Sequence, residues 1–302
     1  YYSNTTSGYV SDREIKVHIT RNNEMDLLLT SANPFTVQGI QFYGGQIARL
    51  SANGPSNFNI RQSTGCADPG YTIYGGHPGQ FDNSGRTYIE ARPYSGDQSI
   101  DDLSQLLQLI TCDRSNPNVE VSRRHYRGSL GLIEQNGQYT FNRVAREQYL
   151  RGVVPQETPS SWGTLGGGLG MQALRAQAIA ARTYLEAISE RRKAKGYMTD
   201  TCDTVGCQVY LGASANGTPL AFGTDFWTTT AAVKETAGIV RIAHDGSVPL
   251  AEFGSSSGGW TTPRSELSGF PAVIDEGDDV ELNPHHLWEK TIRRVDVESM
   301  YP

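Results

Sequence analysis

The 302-residue sequence contains no apolar run near the roughly 18 residues needed to span a bilayer. It also lacks an excess of positive charge, with 26 Lys and Arg against 32 Asp and Glu and a net charge of −6. General nucleic-acid binding needs a basic face, and anionic lipid attracts basic segments, so both are disfavoured. Cysteine is scarce, and no two cysteines fall in a C-x-x-C pair, which speaks against thioredoxin-type chemistry. The four that exist, Cys66, Cys112, Cys202 and Cys207, permit two disulfides in three connectivities. No internal repeat is visible. What is present is ordinary globular composition, 37% hydrophobic and 19% charged. The length suits one large domain or two and does not demand a metal or disulfide for folding.

Residues 1–14 are polar and read as a loosely held terminus. Residues 15–130 read as short strands between turns, with alternation at Ile15–Ile19 and apolar runs at Met25–Leu29 and Phe35–Ile40. Leu103, Leu106, Leu107 and Ile110 recur at helical spacing and predict a helix over 100–110. Asn136-Gly137 predicts a hairpin turn. A short helix is expected over 144–153, ending near Pro155. The strongest helical pattern covers Met171 to Lys195, rich in Ala, Leu, Arg and Glu and stopped by Gly196. From Thr199 onward the pattern returns to short strands and loops. All four tryptophans, 162, 227, 260 and 288, follow residue 150, which points to the second half for a binding surface.

Four groupings carry candidate chemistry. Glu157 sits between Pro155 and Pro159, which restrict the backbone around it. Valines precede it and Trp162 follows, and apolar surroundings favour the protonated carboxyl that a general acid needs. The alternative is a solvated glutamate in a proline-punctuated turn. Arg175, Gln177, Arg182 and Tyr184 lie on the long helix. The two arginines are two turns apart on one face, placed to hold an anionic substrate or orient Glu157, or simply to flank a solvated stripe. Gly254 to Thr261 contains Ser255, Ser256, Ser257, Gly258, Gly259 and Trp260. It matches a nucleophile elbow formally, with Asp275 or Asp278 and His285 or His286 following in hydrolase order. The helix and parallel sheet that an elbow requires are missing, so a small-residue substrate loop or a plain turn is the better reading. Finally, Cys202 and Cys207 would close a short disulfide or bind zinc. Structural zinc wants four ligands and no His lies in the segment, so the disulfide is favoured.

Together these segments resemble the SpoIID/LytB family of peptidoglycan-acting proteins. The likeness rests on the blocks Tyr149–Glu157, Ala173–Tyr184, Cys202–Tyr210, Ala232–Gly238, Phe253–Gly259 and Asn283–Trp288. It implies an α+β fold, a SpoIID-like mixed architecture with a long central helix at about 171–195 packed on short strands. The expected organisation is a β-rich N-terminal region at 1–125 and a catalytic domain at 126–302. The implied activity is that of a lytic transglycosylase, cutting the bond between N-acetylmuramic acid and N-acetylglucosamine to leave 1,6-anhydro ends, with Glu157 as catalytic acid. Arg175, Gln177, Arg182, Tyr184, Trp162 and Ser255–Trp260 are the expected substrate-binding residues. The implied partners are peptidoglycan glycan strands and a wall amidase, with an extracytoplasmic, secreted or wall-associated location. Some family members bind zinc near the fourth block; without the histidines no cofactor is expected here. The Gly163–Gly170 stretch departs from the family pattern, as a lid over the cleft or as a longer loop. Three alternatives stay open: a non-catalytic amidase enhancer that binds wall glycan, a glycoside hydrolase acting on another wall polymer, and a structural wall protein. On the domain reading, the cysteines are expected to pair as Cys66–Cys112 and Cys202–Cys207.

Overall fold

A computed structural model describes residues 5–82, 85–94, 102–134, 137–215, 218–219, 227–254, 256–261, 272–278 and 281. The fold is mixed α+β, as expected. Two compact units are present: residues 9–240, and residues 1–8 together with 241–302.

In the larger unit one sheet runs in the spatial order Thr201–Cys202, Glu14–His18, Gln138–Ala145, Ser129–Glu134, Thr87–Pro93, Phe35–Val37, Ile40–Phe42. A second sheet follows the order Glu120–Tyr126, Leu107–Cys112, Leu27–Thr30, Ile47–Ala52, Asn57–Ser63, Tyr71–Pro78. Strand Ser129–Glu134 packs on Leu27–Thr30, Ile47–Ala52 and Leu107–Cys112, so the two sheets share one core. Alternation does the sorting. Ile15 and Val17 are buried while Lys16 and His18 are only half-buried, and Leu29, Leu50, Ile60, Leu130 and Leu132 complete the core. The expected boundary at 125/126 falls inside this unit, because Thr87–Pro93 pairs with Ser129–Glu134 and Glu14–His18 with Gln138–Ala145.

Helix α1 (Arg146–Glu157) continues directly from strand Gln138–Ala145, and helix α2 (Met171–Ala194) follows the 3-10 segment Ser160–Gly168. Helix α3 (Trp227–Glu235) packs against both. Leu174, Ala178, Ala181 and Leu185 form the buried stripe of α2, where the alanines admit close neighbours. Gly196 with φ +79° ends the helix where a left-handed residue is needed.

Several expectations are corrected. Leu107–Cys112 is a strand, not part of a helix. It lies between Glu120–Tyr126 and Leu27–Thr30, and its central position buries Leu107, Leu109 and Ile110, which erases the two-residue period in the sequence. The N-terminal stretch holds a strand, Thr5–Tyr9, paired with Ile239–Ala243. The second half contains α3, hidden because Thr-rich Trp227–Thr230 scores poorly as helix. Helix α1 runs to Glu157 rather than stopping before Pro155, which sits inside its last turn. The hairpin at 134–138 forms with Gly137 in its loop, and Asn136 lies outside the described residues.

Cys66–Cys112 and Cys202–Cys207 are both disulfides, with Sγ–Sγ distances of 2.02 and 2.07 Å. The first bridges the second sheet and seals the small apolar cluster of Leu28, Ile47 and Ile110. Among the described residues no helix is long and apolar enough to cross a membrane.

Candidate active site

Glu157 is the last residue of α1 and is half-buried. It is therefore a helix-end carboxylate rather than a residue of a connector. The Thr158 N–H closes the helix on the Val154 carbonyl at 3.0 Å. Val153 and Val154 are fully buried in the core, so the valines anchor the helix and do not wall the carboxylate. Gly152 explains the close fit of α1: a Cβ there would stand 2.6 Å from the Tyr210 ring and 2.7 Å from the Gly212 carbonyl.

The partner of Glu157 comes from far along the chain. The Val209 N–H donates to Glu157 Oε1 at 3.0 Å. The segment that carries Val209 is clamped from several sides. The Cys202–Cys207 disulfide closes its start. Gln208, buried, donates from Nε2 to the Ala181 carbonyl of α2 at 3.1 Å and accepts from the Tyr149 hydroxyl of α1 at 3.3 Å. The Tyr210 hydroxyl donates to Asn142 Oδ1 at 2.9 Å, and its ring lies 4.7 Å from that of Tyr149. Burial pushes both tyrosines well above their ordinary pKa, so both remain phenols and donors. Asp203 accepts from the Thr20 N–H and hydroxyl at 3.0 and 2.6 Å. Tyr149, Gln208 and Val209 lie in the blocks that carry the resemblance, but no role was expected of them from sequence. A backbone donor 52 positions away leaves no side-chain signature.

No cation pairs with Glu157 among the described residues, whereas the neighbouring helical glutamates are gripped. Glu147 receives Arg182 through both carboxylate oxygens at 2.8 and 2.6 Å. Glu186 accepts from Arg146 at 2.7 Å. Arg146 also donates to the Ser11 carbonyl at 2.6 Å.

The expected role of Arg182 is therefore corrected. Its side chain is fully buried and its remaining donors go to the carbonyls of Ile239 at 3.0 Å and Val233 at 3.3 Å. It cannot reach a substrate or Glu157. It ties α1, α2 and α3 together. Arg175 pairs at 2.6 Å with Glu235 of α3 at the surface. Gln177 and Tyr184 are half-buried on α2, and Gln177 Nε2 has no protein partner.

Trp162 is 46% exposed on the 3-10 segment that follows Glu157. The Gly163–Gly170 stretch is folded onto the helices. A Cβ at Gly163 would meet Thr228 at 2.6 Å and Leu174 at 2.9 Å, and one at Gly170 would meet the Trp162 carbonyl at 1.8 Å. Leu165 and Leu169 stand out from it, exposed.

Ser256–Trp260 belong to the smaller unit, and Ser255 lies outside the described residues. Here the Ser256 hydroxyl first, then the Ser257 hydroxyl and the N–H groups of Ser257 and Gly258, hold the Asp278 carboxyl down at about 2. Ser257 also donates to Asp275 at 3.1 Å. Among the described residues Ser257 is bonded to two carboxylates and to no imidazole; His285 and His286 lie outside the described residues. Trp260 is exposed and bridges to Ile274.

Known proteins resemble about half of this chain. A Bacillus subtilis (strain 168) protein named amidase enhancer is 32% identical over 152 residues, covering 50% of this chain and 18% of that protein. An uncharacterized Brachyspira hyodysenteriae protein is 30% identical over 145 residues, covering 48% of this chain and 34% of its own. The chain thus spans well under half the length of these relatives. No solved structure gives a significant match. The family model for stage II sporulation protein matches residues 134–242, a span that includes Glu157, α2 and the Cys202–Cys207 loop but not Ser256–Trp260. Over residues 134–242 the chain matches the stage II sporulation protein (SpoIID) family.

Proposed function

We propose that this chain acts on bacterial cell-wall glycan outside the cytoplasm as a lytic transglycosylase, with Glu157 as its single acid and base. The observation that carries the reading is the state of that carboxyl. It is fixed at a helix end by one backbone N–H, half-buried, and free of the arginines that hold Glu147 and Glu186. A carboxyl so placed has an oxygen available to carry a proton.

One such group suffices. A glycoside hydrolase ordinarily uses two carboxylates, one for the leaving oxygen and one for water or the nucleophile. In the lytic reaction Glu157 donates its proton to the glycosidic oxygen leaving C1 of N-acetylmuramic acid. The C1–O bond breaks and the leaving sugar departs as an alcohol. The carboxylate then takes the proton from the O6 hydroxyl as O6 closes on C1, which regenerates the acid. The Val209 N–H holds Oε1, which leaves Oε2 to face the sugar. Trp162, exposed next along the chain, offers a ring face for a pyranose.

Glu157→Gln tests this. The amide is nearly isosteric and still accepts the Val209 N–H, so folding and glycan binding should persist. Turnover should fall by at least about 10²-fold, the lower end of general acid–base contributions. Mass spectrometry of purified glycan reads the outcome as loss of the anhydro product, one water lighter than the hydrolytic one. The relative named amidase enhancer favours a second reading, a wall-binding protein that stimulates an amidase. In that case wild type yields no anhydro ends, and Glu157→Gln stimulates an amidase as well as wild type does.

A further inference from the structure

We propose that the cavity between the C-terminal end of α2 and one face of the first sheet is a binding site for an acidic saccharide, separate from Glu157. The cavity measures about 300 Å³, at the lower end of small-ligand pockets and suited to a single sugar unit. His18, Ile133 and Tyr139 form its floor, and Arg192 with Lys195–Thr199 forms its wall.

Strand pairing explains the floor. Ile133 stands opposite Tyr139, Phe141 opposite His18 and Arg143 opposite Lys16. These side chains share the face of the sheet that carries the cavity, with Ile133 and Phe141 themselves buried there, while Val17, Leu132, Thr140 and Asn142 lie on the opposite face. The cavity face is therefore aromatic and cationic at once. The Lys16 ammonium lies 4.6 Å over the Tyr88 ring, and the Arg143 guanidinium lies 5.5 Å from the same ring. His18 meets Tyr139 edge-on at 5.5 Å.

The wall is held in place before any ligand arrives. The Asp200 N–H donates to the Lys16 carbonyl at 2.8 Å, and Arg86 donates to the Gly196 carbonyl. Arg192 donates from Nε and Nη2 to Thr199 at 3.0 and 2.7 Å and lies 4.3 Å from the Tyr197 ring. Among the described residues no protein group takes its Nη1. Preorganisation of this kind lowers the entropic cost of binding.

Charge selects the ligand class. The chain carries −6 overall, yet the cavity lining holds two cations, Arg192 and Lys195, and no carboxylate. The nearby acids are engaged elsewhere: Asp200 by Arg13, Ser189 and Lys16, and Asp203 by Thr20. A neutral sugar would use the Tyr139 and Tyr197 rings and bring no anion to Lys195 or to Nη1 of Arg192. An anion without a ring would use the cations and leave the tyrosines bare. A sugar carrying a carboxylate or phosphate satisfies both.

Calorimetric titration of the full chain tests the site with four probes: sodium N-acetylmuramate, N-acetylglucosamine 6-phosphate, neutral N-acetylglucosamine and glycerol 3-phosphate. At least one acidic sugar should bind tenfold or more tighter than the neutral sugar and than glycerol 3-phosphate. The tighter of the two acidic sugars identifies the anion as carboxylate or phosphate. Lys195→Glu and Tyr197→Ala should each weaken that binding about tenfold. Both side chains are exposed, so both variants should melt with the wild type. Equal affinity for acidic and neutral sugars, equal affinity for glycerol 3-phosphate, or no effect of either substitution would overturn the proposal. The readout is monosaccharide affinity, so a failure of Glu157-dependent cleavage leaves it standing.

Discussion

Arg182 has no exposed surface, and its Nε, Nη1 and Nη2 all donate to protein oxygens. Its guanidinium bonds Glu147 through two oxygens and reaches the carbonyls of Ile239 and Val233. Removing it takes the two-pronged counter-charge from Glu147, leaving Arg146 at 3.5 Å, and removes a donor from each of two carbonyls. Arg182→Ala should therefore cost about 3–5 kcal/mol, the range for breaking one side of a buried ion pair. Arg182→Lys should recover only part of that, because an ammonium cannot form the two-pronged contact. Denaturant titration measures both. Arg175 makes the opposite case. Its pair with Glu235 lies at the surface, and Arg175→Ala should change stability by no more than about 1 kcal/mol. Two arginines seven residues apart on one helix thus differ several-fold in consequence, and only the environment distinguishes them.

At the scale of elements, the contact between α1 and the Val209 segment holds the candidate site together. Gly152 is the point of closest approach, and a methyl group there would press on the Tyr210 ring and the Gly212 carbonyl. Gly152→Ala should cost about 1–3 kcal/mol through overpacking. Because Tyr210 is next to Val209, the same substitution should also lower turnover, measured as anhydro product per unit of folded protein. The junction of α2 with strand Glu14–His18 carries a second prediction. Asp200 is pushed up by burial. The Lys16 N–H, the Ser189 hydroxyl and Arg13 outweigh that and hold the carboxyl below its ordinary value. A group depressed in the folded state contributes stability above its unfolded pKa, about 3.9. That contribution is lost as pH falls below this value. Asp200→Asn should thus destabilise by about 1.5–3 kcal/mol at pH 7. The gap from wild type should close progressively below pH 4, as denaturation at stepped pH would reveal.

For the whole molecule, the disulfides act at different ranges. Cys66–Cys112 spans 46 residues and ties the turn after strand Asn57–Ser63 to the end of strand Leu107–Cys112, whereas Cys202–Cys207 spans five. Loop-closure entropy grows slowly with loop length, so losing the first should cost about 4 kcal/mol and losing the second about 2 kcal/mol. The paired substitutions Cys66→Ser with Cys112→Ser, and Cys202→Ser with Cys207→Ser, separate the two by denaturation. Function should rank the other way. Opening Cys202–Cys207 frees the segment that delivers the Val209 N–H to Glu157, so cleavage should fall more with that pair than with the pair that costs more stability.

Local chemistry was enough to define α2, since its alanines, its apolar stripe and Gly196 state both its face and its end. The alternation of Glu14–His18 was legible for the same reason, as it depends on neighbours within a few residues. The sequence alone also singled out Glu157 and indicated the cysteine pairs. Tertiary structure decided the rest. The run at 103–110 has helical spacing, yet neighbours on both sides make Leu107–Cys112 a strand. Glu147, 35 positions from Arg182, turned that arginine from a candidate ligand into a buried strut. A backbone N–H at Val209 became the partner of Glu157, although no side chain announces it. Periodicity and turn chemistry are written in adjacent residues because backbone sterics and hydrogen bonds act over one turn or one strand. Burial, ion pairing and backbone donation across the fold depend on which distant segments share a core, and only the packed chain decides that.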